Sequence, residues 1–200
     1  MQQRIVIVNT GCANISSVKF AFDRLNVAVA VSDDPAIITQ ADKVILPGVG
    51  SANAAMASIH HKQLVPTLKS LTQPVLGVCL GMQLMVSWSE ESTSERTDCL
   101  DLIPGEVRRM QVGDLRLPHM GWNAVDAVQH NDLFKHIPNG SFFYFVHSFA
   151  IAPFEHTLAS CEYGSRFSAA IQRNNFFGVQ FHPERSGEAG AQLLQNFVSL

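Results

Sequence analysis

The 200-residue sequence predicts an α/β fold of three layers: a central, mostly parallel sheet flanked by helices, with an antiparallel extension. Three observations predict it. Short, wholly apolar runs alternate with segments of helical periodicity through the first half. Between Gly105 and Ala170 these give way to shorter strand candidates separated by turn signals. A last apolar run and an amphipathic segment then close the chain.

Ile5 to Val8 is the first strand candidate, apolar at every position as a central parallel strand should be. Asn9 to Asn14 turn the chain. Asn14 or Ser16 can cap a helix whose apolar positions are Val18, Phe22 and Leu25. Val27 to Val31 is a second strand, and Asp33-Asp34-Pro35 is a helix start with proline in the first turn. Lys43 to Leu46 is a third strand. It runs into Pro47-Gly48-Val49-Gly50-Ser51, a glycine-rich loop, and an Ala-rich helix from Asn53. Val75 to Val78 is a fourth strand, followed by a helix-like segment from Met82 to Trp88. Ser89 to Asp98 is polar and reads as a surface loop. Glu106–Met110, Asn123–Val128, Phe142–Ser148, Leu158–Tyr163 and Ser168–Gln172 form the antiparallel extension. Phe176–Phe181 and a helix over Ala189–Val198 complete the chain. No linker or repeat interrupts it, so residues 1–200 read as one domain.

Composition narrows the function classes. Apolar residues make up 46% and charged residues 16%, which fits a globular chain rather than a disordered one. The net charge of −3, with no Lys/Arg cluster, argues against nucleic acid and anionic membranes as partners. No apolar run reaches transmembrane length and no signal-peptide pattern precedes Ile5. The four cysteines lie far apart without a C-x-x-C. That disfavours a disulfide framework and a zinc site, and fits a reducing, cytoplasmic setting.

One of those cysteines stands where chemistry is expected. Gly77-Val78-Cys79-Leu80-Gly81 is a G-x-C-x-G pattern between a strand and a helix-like segment. It matches a nucleophile elbow, in which glycines make room around a sharp turn that projects the side chain outward. A helix N-terminus after it would favour a thiolate. Taken alone, the pattern fits a buried structural cysteine equally well. A thiol nucleophile needs a base, and the base needs an orienting group. His60 and His61 on a surface helix, and His130, His136 and His156 in polar contexts, read as solvated residues. His182 differs: it ends the apolar strand Phe176–Phe181, at the sheet edge where α/β folds bind ligands. In His182-Pro183-Glu184 the proline favours extended backbone at His182, which would set Glu184 beside the imidazole. By itself H-P-E also fits a solvated turn. The loop at Val49–Gly50 lacks a phosphate-binding pattern. With the Leu80 N–H it could instead supply a two-donor oxyanion hole.

Three motifs therefore stand in order: Pro47-Gly48-Val49-Gly50, Gly77 to Gln83, and Gly178 to Glu184. Together they resemble the class I, triad-type glutamine amidotransferases, whose fold is flavodoxin-like. Leu117 to Asn123 and Tyr144 to Ser148 are similar to one branch of that family, the glutaminase subunits of imidazole glycerol phosphate synthases. Arg185-Ser186-Gly187 after the H-P-E agrees, and the resemblance spans Ile5 to the last helix. It implies Cys79 as nucleophile, His182 as base and Glu184 as its orienting group. It implies Val49, Gly50 and Leu80 for the oxyanion hole, and Gly50, Gln83, Ser148 and Phe149 for the glutamine substrate. Asn14, Pro118, His119, Met120, Gly121, Trp122 and Asn123 match surfaces near the ammonia exit and the partner subunit. Two positions depart from the pattern. Phe149 stands where relatives often carry Tyr, and Cys12-Ala13 where they often carry a glycine-richer turn.

The implied activity is hydrolysis of L-glutamine to glutamate and ammonia through a cysteinyl thioester, without a metal or organic cofactor. The implied partner is a (β/α)8-barrel cyclase subunit in a heterodimer. That partner would use the ammonia to make imidazole glycerol phosphate and AICAR in histidine biosynthesis. Rival readings are a glutaminase subunit of another synthase, a cysteine peptidase, and a non-enzymatic subunit with a reactive thiol.

Overall fold

The computed structural model describes residues 3–11, 14–92, 95–127 and 131–200. Cys12, Ala13, Val128 and His130 lie outside these, so the early turn, that strand end and that histidine are not placed. Among the described residues the main sheet has nine strands. Its parallel half runs β2 (Val29–Ser32), β1 (Ile5–Val8), β3 (Lys43–Gly48), β4 (Val75–Cys79) and β13 (Phe176–Val179). The antiparallel half continues through β12 (Ser165–Arg173), β11 (Thr157–Tyr163), β8 (His119–Ala127) and β9 (Ser141–His147).

The two-residue periodicity of each parallel strand explains the layers. Ile5 and Ile7 of β1 face one apolar cluster with Phe22 of α1 (Ile15–Arg24) and Leu193, Leu194 and Phe197 of α6 (Gly187–Ser199). Val6 and Val8 face the other, with Met56 and Ile59 of α3 (Ala52–His61) and Leu68 of α4 (Val65–Ser70). Every residue of β1, β3, β4 and β13 is buried, which is why their sequences carry no polar alternation. Two predicted caps form. Asn14 accepts from the Ser17 N–H at 3.3 Å, and Asp34 accepts from Ala36 N–H at 2.8 Å ahead of α2 (Pro35–Thr39).

Several elements differ from the sequence reading. The helix after Cys79, α5, covers only Leu80–Gln83 instead of reaching Trp88. Leu84, Met85 and Val86 are fully buried, and their carbonyls accept from Leu100, Leu102, Ile103 and Asp101 N–H groups. The chain leaves the helix to make those pairings. The stretch 89–98 is not wholly a surface loop. β5 (Trp88–Ser89) and β6 (Thr97–Asp98) join β7 (Glu106–Arg109) and β10 (Phe149–Ala150) in a second, four-stranded sheet. β7 thus leaves the extension where the sequence reading placed it. β8 begins at His119, four residues earlier than expected, because β9 pairs it from His119↔His147 through Val125↔Ser141. Each of these differences is imposed by a partner distant in sequence.

Candidate active site

Cys79 closes β4 with φ +53° and ψ −112°. Such backbone costs a non-glycine residue on the order of 1–3 kcal/mol and persists only where its surroundings hold it. Here the holding comes from close approach. A Cβ on Gly77 would lie 2.7 Å from the Gly81 carbonyl oxygen, and one on Gly48 would lie 2.8 Å from the Gly81 nitrogen. A Cβ on Gly81 would overlap the Leu46 carbonyl. β3, β4 and α5 therefore close on one another through hydrogen-sized side chains, and Cys79 is left at the apex.

The thiol opens into a cavity of about 230 Å³. The predicted oxyanion residues Val49, Gly50 and Leu80 line it, as do the predicted substrate residues Gln83, Ser148 and Phe149. His182 lines it too, and so do Val146 and His147, which the Tyr144–Ser148 motif contains without assigning them to the site, and Glu91, which carried no sequence signal. A larger apolar hollow of about 510 Å³ lies at the opposite, N-terminal end of β1 and β2. The described residues lining it include no Cys, His, Asp or Glu, so it lacks the groups for nucleophilic chemistry.

His182 follows β13, whose residue Val179 is in register with Val78 of β4. The two candidate catalytic groups thus leave adjacent parallel strands at the same edge. His182 Nδ1 lies 2.7 Å from Glu184 Oε1, and both side chains are less than a tenth exposed. The pairing is the expected one, but its mechanics differ. His182 is extended (φ −98°, ψ 95°), whereas Pro183–Arg185 form a 3-10 turn that folds Glu184 back. The backbone of His182 is also clamped to β9. Its N–H donates to the Tyr144 carbonyl at 2.9 Å, and its carbonyl accepts from the Ser186 hydroxyl at 2.6 Å. Burial opposes charging His182. Hydrogen bonds and charge attraction from Cys79 and Glu184 outweigh it, so the imidazole holds its proton well above the ordinary histidine range.

Gln83 donates from Nε2 to the Phe149 carbonyl and to Gln180 Oε1, both at 2.9 Å. With its N–H groups so engaged, its carbonyl oxygen is the remaining polar atom available to a ligand. Glu91 accepts from the Ala52 N–H at 3.0 Å, which ties the cavity wall to the first turn of α3. Its burial raises the carboxyl pKa, and that hydrogen bond partly offsets the rise.

The predicted partner segment splits by strand parity. Met120 and Trp122 point outward, 62% and 54% exposed, and Pro118 is exposed beside them. They share the outer face of β8–β9 with Phe142, which is 58% exposed, and with Tyr144 and Val146. His119 does not join that face. It is buried, stacked on Tyr163 with ring centroids 4.0 Å apart, and its Nδ1 meets His147 Nε2 at 3.0 Å. Asn123 also turns away from it, donating to the Glu162 carbonyl of β11 at 3.0 Å. Gly121 shares that parity. Asn14 is exposed at the start of α1. Among the described residues no group of three or more His, Cys, Asp or Glu is placed to hold a metal ion. No described helix is long and apolar enough to cross a membrane.

A strained cysteine, a carboxylate-paired histidine and a parallel-sheet edge define the class. Residues 6–200 match the family of class-I glutamine amidotransferases, and the chain belongs to that family. Within it the chain groups with the HisH subunits of imidazole glycerol phosphate synthase. It is 54% identical to the HisH subunit of Vibrio cholerae, over 100% of both chains. It is 52% identical to the HisH 1 subunit of Vibrio vulnificus, over 100% of this chain and 99% of that one. The fold is also found in the solved structure of PurLQS from Thermotoga maritima. There the TM-score is 0.71 at 18% identity, over 100% of this chain and 99% of the other.

Proposed function

We propose that the protein is the glutaminase subunit of an imidazole glycerol phosphate synthase, hydrolysing L-glutamine at Cys79. The observation that carries this reading is the convergence of Cys79, the His182–Glu184 pair and the Val49–Gly50 loop on one small cavity. At about 230 Å³ the cavity lies below the roughly 300–1,000 Å³ of drug-sized pockets, which suits an amino acid better than a peptide. The 52–54% identity to HisH subunits along the whole chain favours this synthase over others.

The reaction then follows from the residues. His182, held in place by Glu184, takes the Cys79 proton. The thiolate attacks the side-chain amide carbon, and the oxyanion that forms is met by the Leu80 N–H and an N–H of the Val49–Gly50 loop. His182 returns the proton to the leaving nitrogen, ammonia departs, and a thioester remains. Water, deprotonated by His182, attacks the thioester. Glutamate leaves and the thiol is restored. Gly50, Ser148, Phe149 and the Gln83 carbonyl hold the substrate, and the Glu91 carboxylate receives its α-ammonium.

The ammonia passes to a cyclase partner, for which the reading specifies a (β/α)8 barrel in a heterodimer in the cytoplasm. The outer face of Pro118, Met120 and Trp122, with Asn14, is the proposed contact. Exposed Met and Trp side chains are characteristic interface anchors. His119, Gly121 and Asn123 support that face from behind. Residues 1–200 act as one amidotransferase domain. The test is Cys79→Ala in the assembled complex: glutamine turnover should vanish while ammonia-driven cyclase activity persists. Retained glutaminase turnover would overturn the assignment.

A further inference from the structure

We infer that Gln180 is a further catalytic residue, whose amide N–H donates to the Cys79 sulfur and favours its thiolate form. The inference rests on the proposed glutaminase reading. Gln180 sits two residues before His182 and is fully buried. Its Nε2 lies 3.7 Å from Cys79 Sγ, and its Oε1 accepts from Gln83 Nε2 at 2.9 Å.

Which end of each amide faces which neighbour follows from the partners themselves. A backbone carbonyl only accepts, so Gln83 must present its NH2 to the Phe149 oxygen. The second hydrogen of that NH2 points at Gln180, which must therefore offer its oxygen there. The NH2 of Gln180 is left facing the sulfur. The same carbonyl fixes the other branch. His147 Nδ1 lies 2.9 Å from the Phe149 oxygen and must carry its proton. Burial lowers the pKa of both His147 and His119 to about 4, so each ring is neutral at physiological pH. His147 Nε2 is then an acceptor, and His119 Nδ1 donates to it at 3.0 Å. One proton assignment satisfies the whole run from His119 to Cys79.

Two further facts give the donor a purpose. α5 is a single turn of four residues, too short to supply much dipole to the thiolate. The Val146 carbonyl also stands 3.9 Å from the sulfur, and it would repel the thiolate that forms when His182 takes the proton rather than hold it. Gln180 is the neutral donor beside the sulfur, and a hydrogen bond to an ionised acceptor is about twice as strong as one to a neutral group.

The test is the pH profile of Cys79 alkylation by iodoacetamide in the full chain, with the label located by peptide mass spectrometry. Burial pushes the Cys99 and Cys161 thiols up to about 12, so neither competes near neutral pH. In folded Gln180→Leu, alkylation at pH 7 should slow about tenfold and the profile should move to higher pH. Gln180→Glu keeps the shape and the acceptor for Gln83, and should slow alkylation at least as much. A wild-type profile in either folded variant overturns the inference, since a merely structural amide would change stability and not the profile. A wild-type complex that hydrolyses no glutamine would instead overturn the glutaminase reading, while the alkylation profiles still judge Gln180.

Discussion

Replacing Glu184 by Gln removes one charge and almost no volume from the centre of the site. Glu184 Oε1 lies 2.7 Å from His182 Nδ1, with side chains 4% and 8% exposed. At an effective dielectric of about 20, opposite charges at that distance attract by roughly 6 kcal/mol. A glutamine carbonyl would recover part of this if it accepted from Nδ1–H, leaving about 4–5 kcal/mol lost from the imidazolium. If the amide NH2 faced Nδ1 instead, the ring would be forced into the tautomer that cannot take the Cys79 proton. Loss of the corresponding carboxylate in a serine protease triad costs about 10⁴-fold. Both routes lead to a kcat about 10³- to 10⁴-fold lower, with KM for glutamine little changed. The assay is steady-state glutamate release by the complex with its cyclase subunit. Urea denaturation alongside it should confirm that the variant is folded. A folded Glu184→Gln complex within tenfold of wild type would refute the assignment of Glu184 as the group that orients His182.

Other perturbations reach different parts of the structure. Gly81→Ala drives a methyl into the Leu46 carbonyl, and should cost about 3 kcal/mol or more, read as a lower urea midpoint; wild-type stability would contradict the close approach of β3 and α5. Trp122→Ala should weaken partner binding about 30-fold by calorimetry, the scale of a 2 kcal/mol interface anchor, while leaving Cys79 alkylation unchanged. An unaltered Kd would remove the β8–β9 face from the interface. His119 and His147 titrate near 4 in the folded chain, below the roughly 6.5 of an unfolded histidine. Their contribution to stability is therefore complete above about pH 6.5 and declines as the pH falls from there toward 4. The melting temperature should drop across that window, and His119→Phe should lessen the drop; equal slopes for both proteins would argue against the neutral pair.

The parallel half of the fold was legible because fully buried strands are written as contiguous apolar runs, as in Ile5–Val8 and Phe176–Val179. The elbow and the H-P-E were legible because both depend on neighbours in sequence: glycines around Cys79, and a proline between His182 and Glu184. What escaped reading depends on partners far away. The helix after Cys79 was overrun because Leu84–Val86 look helical until residues 100–103 claim their carbonyls. Glu91 enters the cavity from a stretch whose polarity resembles any loop. Gln180 just after β13 and His147 at the end of β9 are polar residues attached to apolar strands, and sequence gives no sign that each meets a group across the sheet. The resemblance groups His119 with Met120 and Trp122 as one segment, whereas alternation along an extended strand separates neighbours onto opposite faces.

That alternation has a consequence for how the protein can change. Along β8 and β9 the outward residues at 120, 122, 142 and 144 are not among those that line the cavity, while the inward ones at 119 and 147 are buried away from the outer surface. Substitutions outside can retune affinity for a partner without altering the chemistry. Inserting one residue into either strand would exchange the two sets, whereas inserting two would restore them. The backbone of Val146 escapes this separation, because its side chain belongs to the outer face and its carbonyl oxygen rests against the Cys79 sulfur. A partner that displaced this strand by a fraction of an ångström would reach the reacting atom with no side chain in between.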